Sequence, residues 1–149
     1  MLQKWNFVVS VDGSDLKSEG YATTFDDDTT ASGVSAKTPG IVGCSLPTGR
    51  VESTNDSGFP KMPWFTVVKV FYPKTGKFLY CPLIDEGPAW KAEAGTGKPG
   101  SAMIDLTPAA AKLLGMKDND KVVIRIMKDQ IWRKEQVIYF SELYQKIEE

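Results

Sequence analysis

LIDEGPAW, residues 83–90, sets two apolar residues directly before two acids and a Gly-Pro pair. Leu83 and Ile84 read as the end of a strand entering a core, and Gly87-Pro88 as a sharp turn leaving it. Asp85 then stands where the strand ends, on the rim of the structure. A carboxylate in that place is either a solvated turn-former or a group that faces a groove and acts on a ligand.

Working outward, Thr66 to Tyr72 (TVVKVFY) carries the strongest strand signal in the chain. Pro73-Lys74-Thr75-Gly76 follows, then Lys77 to Ile84, which makes a hairpin with Gly76 suited to a positive φ. Trp5 to Val11, Gly20 to Phe25 and Lys121 to Met127 read as further strands. Asp12-Gly13 forms a turn after the first, and Lys117-Asp118-Asn119-Asp120 leads into the last. Two helices are predicted. Pro108 to Leu114 has Thr107 as its cap, Pro108 at the first helical position and Gly115 as its stop. The second is the tail, Ser141 to Ile147, with Leu143, Tyr144 and Ile147 at helical spacing. Thr29 to Pro63 and Trp90 to Ser101 read as loops. Many short strands beside one short helix favour a small β-barrel.

The chain has 149 residues, the size of one domain. Lys and Arg number 18 against 19 Asp and Glu, so no basic excess points to nucleic acid or an anionic membrane surface. No apolar run approaches the ~18 residues of a bilayer span. The N-terminus reads as a strand rather than a signal peptide. There is no histidine, which removes the commonest general base, Ser-His-Asp catalysis and most zinc sites. Cys44 and Cys81 are open to three readings: two buried thiols, one disulfide, or a nucleophile. No metal or cofactor is expected.

A second acid repeats the pattern of the first. In SAMIDLTPAAAKLLGM, residues 101–116, Asp105 follows Met103 and Ile104 and precedes the capped helix. Were the two strands neighbours, Asp85 and Asp105 would face one groove. Paired carboxylates are what glycosidic cleavage needs: one protonates the leaving oxygen, and a second activates water or steadies the sugar cation. Proton donation near neutral pH requires a raised pKa, which a partly apolar wall provides by desolvation. The structural alternatives are equally concrete. Asp105 sits two residues before the cap and suits backbone N–H groups at a helix start. Asp85 suits a turn.

The ordered set GYATTFDDDTTASG (20–33), GCSLP (43–47), FTVVKVFYPKTGKFLYCPLIDEGPA (65–89) and IDLTPAAAKLLGM (104–116) resembles the double-psi β-barrel domains of the rare lipoprotein A family. Relatives of that family include expansins, endoglucanase V-type cellulases and membrane-bound lytic transglycosylase A. The resemblance covers residues 20–127. It implies a mainly β fold: a six-stranded double-psi β-barrel with one short helix after Asp105, an extra N-terminal strand and a C-terminal helix. The implied division is an extension over 1–19, the barrel over 20–127 and a tail over 128–149. Asp85 matches the aspartate of the family's D-x-G-P motif, the implied catalytic position in lytic members. Asp105 matches the aspartate of I-D-L-S, the implied proton donor in expansins and the cellulases. Asp26 falls where the cellulases carry their second carboxylate, and a solvated acidic loop over Asp26, Asp27 and Asp28 is the other reading. Tyr21 and Thr23 lie on the matching first strand. With Glu86 and Trp90 they are the substrate-binding candidates; Trp90, just past the Gly-Pro turn, is open to two readings, a ring that stacks on a sugar or simple edge packing. The family's histidine before the Leu-Pro pair is replaced here by Val42-Gly43-Cys44-Ser45, and the glutamate after A-S-G by Val34.

The resulting expectation is a glycan-active protein that cleaves a β-linked polysaccharide, peptidoglycan first, by aspartate acid–base chemistry. Its route is lytic or hydrolytic, and the resemblance places it outside the cytoplasm. The alternatives are an expansin-like polysaccharide-binding module without catalysis, and a structural component of a phage or secretion apparatus. No nucleic-acid partner and no membrane insertion are expected. Trp64, Phe65, Phe71, Tyr72, Phe78 and Tyr80 are expected mostly in the core. Lys91 and Lys98 are expected as solvated loop charges.

Overall fold

The computed structural model describes residues 5–91 and 101–148, with only the backbone described over 142–148. Lys98, most of the Gly-rich loop and the side chains of Leu143, Tyr144 and Ile147 lie outside that description. Among the described residues there are seven strands: β1 (Ser10–Asp12), β2 (Asp15–Thr24), β3 (Cys44–Leu46), β4 (Thr66–Tyr72), β5 (Lys77–Glu86), β6 (Ile104–Leu106) and β7 (Asp120–Ile131). Two helices accompany them, α1 (Pro108–Leu113) and α2 (Lys134–Glu148).

Strands run β1-β2-β6-β3-β5-β4-β7 across the sheet, and β2 also pairs with β7. That last pairing closes β2 to β7 into a six-stranded barrel and leaves β1 as an extra strand outside it. The β2–β6 and β3–β5 pairs are parallel and the other barrel pairs antiparallel. The fold is therefore mainly β: a closed mixed barrel with an added N-terminal strand, a short helix after Asp105 and a C-terminal helix. Its pairing is compatible with a double-psi barrel. Among the described residues no helix is long and apolar enough to cross a membrane.

The core follows from strand alternation, which sends every second side chain inward. Leu16 and Ala22 on β2, Val68, Val70 and Tyr72 on β4, and Val122, Ile124 and Ile126 on β7 are all buried. Leu83, Ile104, Leu106, Cys44 and Leu46 complete the same cluster from the shorter strands. Thr107 locks the barrel to α1. Its hydroxyl accepts from Ala110 N at 3.4 Å and Gly43 N at 3.2 Å, and donates to Ile41 O at 2.8 Å. Gly115, at φ +71, ends the helix as predicted.

Several expectations need correcting. The first strand is β1 at Ser10–Asp12 rather than Trp5 to Val11; Trp5 instead packs on Phe7, and Phe7 on Phe59, both of which belong to the core cluster. β2 begins at Asp15, five residues before the expected Gly20, because Leu16 to Ala22 pair continuously with β7. The region 29–63 is not all loop, since Cys44–Leu46 is a barrel strand. The tail helix begins at Lys134 rather than Ser141. Of the aromatics, Tyr72 is buried, but Phe71, Phe78 and Tyr80 are exposed. Phe71 and Phe78 are cross-strand partners on the outer face, where the Lys69 ammonium lies 4.5 Å from the Phe78 ring.

Candidate functional site

Asp105 is the middle residue of β6, between Ile104 and Leu106, which are both fully buried in the core. Alternation therefore directs Asp105 to the outer side of the barrel. Ser45 occupies the equivalent place on β3, between Cys44 and Leu46, and Thr23 follows buried Ala22 on β2. These residues are in register: Thr23 is opposite Asp105, and Asp105 is opposite Ser45. Ser45 is in turn aligned with Asp85 on β5. Thr23, Asp105, Ser45 and Asp85 thus form one row across four strands.

Asp85 joins this row through an irregularity. β3 and β5 match Cys44 with Leu83 and then Ser45 with Asp85, so Ile84 is an extra residue on β5. A bulge of this kind re-aims the residue that follows it. Asp85 Oδ1 accepts backbone N–H bonds from Ala31 at 3.0 Å and Glu86 at 2.9 Å. The strands bearing Asp85 and Asp105 are not neighbours, because β3 runs between them.

The chain then turns sharply over the row. Gly87 has φ +133, and a Cβ there would lie 3.4 Å from Ser45 Oγ and 3.8 Å from Asp105 Oδ2. Glycine suits this position on both counts. The Gly87-Pro88 bond is cis. Ser45 Oγ donates to Gly87 O at 2.9 Å, and Gly87 N donates to Leu46 O at 3.1 Å, pinning the turn to β3.

A cavity of about 360 Å³ opens beside Asp105. Its polar wall is Thr23, Thr24, Asp105, Lys91 and Asn119, and its apolar wall is Pro88, Ala89 and Ala102. That volume lies within the range of small-ligand sites. Burial pushes the Asp105 carboxyl up to about 6; the nearby charges of Asp27 and Asp85 push the same way. The Thr23 hydroxyl, donating to Asp105 Oδ1, and the Lys91 ammonium act against that rise. Asp105 is thus a carboxyl that holds its proton into the mildly acidic range, facing hydroxyls and an open cavity.

Lys91 is an exposed loop residue, as expected, and it also borders this cavity. Its backbone is clasped by buried Ser101, whose Oγ accepts from Lys91 N and donates to Lys91 O, each at 2.7 Å. Lys91, Asn119 and Ser45 are site residues that no motif in the sequence singles out, and Asp27 stands there only within the acidic run Asp26 to Asp28. Of the first three, Ser45 alone carries a signal, as the centre of GCSLP between two apolar residues.

The other candidates are dispersed. Glu86 is taken up by the loop over residues 48–62. Its carboxylate accepts from Thr48 N at 2.7 Å and Arg50 N at 3.3 Å, from the Thr48 hydroxyl, and from Arg50 Nη1 at 3.4 Å. The same guanidinium lies 3.9 Å over the Trp64 ring and donates to Met62 O. Asp26 is exposed and lines a different cavity of about 330 Å³ with Lys37 and Pro108. Asp28 pairs with Lys37 at 3.6 Å on the surface. Tyr21 lies near Lys121, whose ammonium is 5.9 Å from its ring. Trp90 is half-buried, its backbone N donating to Ser53 O at 2.7 Å. Neither ring lines the Asp105 cavity.

Cys44 and Cys81 are free, buried thiols in the core, with Cys44 Sγ 3.7 Å from Cys81 O. Burial raises the Cys81 thiol well above its ordinary value, which disfavours the thiolate and hence nucleophilic chemistry. Among the described residues, no group of three or more acid or thiol side chains is placed to hold a metal. No family model and no curated protein matches the chain.

Proposed function

We propose that this barrel is a glycan-active enzyme of the rare lipoprotein A-like double-psi type, with Asp105 as general acid. The observation that carries this reading is a carboxyl raised to about 6 within a hydroxyl-lined cavity, with a second carboxylate one strand beyond its neighbour. In the proposed reaction the Asp105 proton passes to the glycosidic oxygen as its bond to the anomeric carbon breaks. A water adds to that carbon and gives its proton to Asp85. Asp85 and Asp105 stand two strand spacings apart, about 9–10 Å between Cα atoms. A carboxyl-to-carboxyl separation of ~6.5–9.5 Å would support water-mediated inversion, and ~5–5.5 Å a retaining pair. The substrate class is a β-linked polysaccharide, with peptidoglycan the first polymer to try and an extracytoplasmic setting implied by it. Of the two acids, Asp105 takes the donor role because its environment, and not only its position, suits donation.

The test is incubation of the parent, Asp105→Asn and Asp85→Asn with purified peptidoglycan sacculi, with soluble products read by mass spectrometry. The reading expects reducing-end fragments from the parent and a ~10²–10⁴-fold loss in Asp105→Asn. Anhydro-sugar products would replace the added water by the sugar's own hydroxyl. Absence of release from the parent on this and a panel of other polysaccharides would overturn catalysis and leave the polysaccharide-binding module.

A further inference from the structure

Asp85 is held from outside the barrel, and the chain of contacts that holds it ends at the C-terminal helix. Its Oδ1 accepts from Ala31 N, and the adjacent Ser32 N donates to Ile84 O at 3.2 Å. Both donors belong to a tight turn over residues 30–34. Gly33 N donates to Thr30 O at 3.0 Å, the buried Thr30 hydroxyl donates to Val34 O, and Val34 N donates to Ser32 Oγ at 3.3 Å. The turn has its own apolar anchor. Val34, Ile41 and Val137 form a cluster apart from the barrel core, with Phe65, Trp132 and Ile138 packed against it.

Val137 lies on α2, and it is buried there against the turn. Four residues on, on the same helix face, Ser141 is also buried, and its Oγ donates to Pro39 O at 3.0 Å. The start of α2 is fixed as well. Arg133 N donates to the side chain of Gln136 at 2.8 Å, one half of a capping box, and Trp132 N donates to Phe65 O at 2.9 Å. Phe65 N in turn donates to Leu83 O on β5 at 2.7 Å. The helix therefore grips the same strand end by two routes, one through the Ala31 turn and one through Phe65.

We propose that α2 is a positioning element for Asp85, acting through the turn at residues 30–34, with Val137 and Ser141 as its positioning residues. A barrel alone would leave Val34 and Ile41 exposed on one side, and the turn that presents the Ala31 N–H would keep its Ser32 N–Ile84 O bond but lose its apolar anchor. The coupling does not depend on the glycan reading; its consequence for catalysis does. It is accordingly tested without substrate.

The experiment is amide NMR on the full chain, comparing the parent with Val137→Ala, Val137→Ile and Ser141→Ala. In the parent the Ala31 amide is expected to be protected from hydrogen exchange by its bond to Asp85, and its shift is expected to respond when the carboxylate it donates to takes up a proton. Val137→Ala is expected to speed Ala31 exchange at least tenfold and to abolish that pH response, with the Val68 and Val70 amides unchanged. Val137→Ile restores both. Ser141→Ala, which removes one hydrogen bond and almost no volume, gives a smaller change in the same direction. Unchanged Ala31 behaviour in both Val137→Ala and Ser141→Ala overturns the proposal. So does a rise in exchange that is uniform across the barrel.

Discussion

Replacing Asp105 by Asn should stabilise this protein at neutral pH. Burial raises the carboxyl from 3.8 to about 6. The folded state therefore binds a proton more tightly than the unfolded chain. Between about pH 4 and 6 the native state carries more protons, so stability falls as pH rises through that window. The loss is complete above it. Two pH units at about 1.4 kcal/mol each give an upper figure of about 3 kcal/mol. Asparagine has the same shape and no charge to desolvate, and its amide oxygen can still accept from Thr23. Urea unfolding at pH 4 and pH 8 reads the effect. At pH 4 the two proteins should unfold together. At pH 8 the variant should be more stable by about 1–3 kcal/mol, roughly a 1 M shift in midpoint. A variant no more stable than the parent at pH 8, or a gain equal at both pH values, would refute the desolvated-acid account of Asp105.

The neighbours of Asp105 should move any activity profile in opposite senses. Thr23→Val removes a hydrogen bond that favours the charged form, so the descending limb of kcat/KM against pH should move up from about 6. Asp27→Asn removes a charge that raises the Asp105 carboxyl, so the limb should move down. Glu86→Gln should leave that limb in place but cost about 3 kcal/mol in urea unfolding. It removes the charge that pairs with Arg50 and accepts from Thr48, at a site only 8% exposed.

Much of the fold was legible because its longest signals are local. The β4–β5 hairpin, the Thr107-capped helix and β7 each declare themselves by alternation, a cap or a turn. β3 did not, for a physical reason: three residues, Cys44–Leu46, cannot display a period. Their strand character comes from pairing with β5 and β6, far away in sequence. Missing β3 hid the centre of the site, since Ser45 is what aligns Asp85 with Asp105. The bulge at Ile84 was equally invisible, because it is a property of two paired strands. The spacing of Leu143, Tyr144 and Ile147 marks only the later part of α2, since its first turns owe their burial to Val34 and Ile41, far away in sequence. Asp85 and Asp105 stood out in the sequence because an acid after apolar residues breaks the pattern of a core strand. Their difference in environment is a property of the folded chain alone.

The Ser101 clasp on Lys91 has a consequence for how this surface can change. One buried hydroxyl holds both backbone groups of Lys91, so the ends of residues 91–101 are joined at a fixed spacing whatever lies between them. Closing a longer connection between fixed ends costs little, about 0.6 kcal/mol per doubling of length. The chain thus has a fixed base at the rim of its cavity, where Lys91 and Ser101 keep their spacing by a single buried hydroxyl.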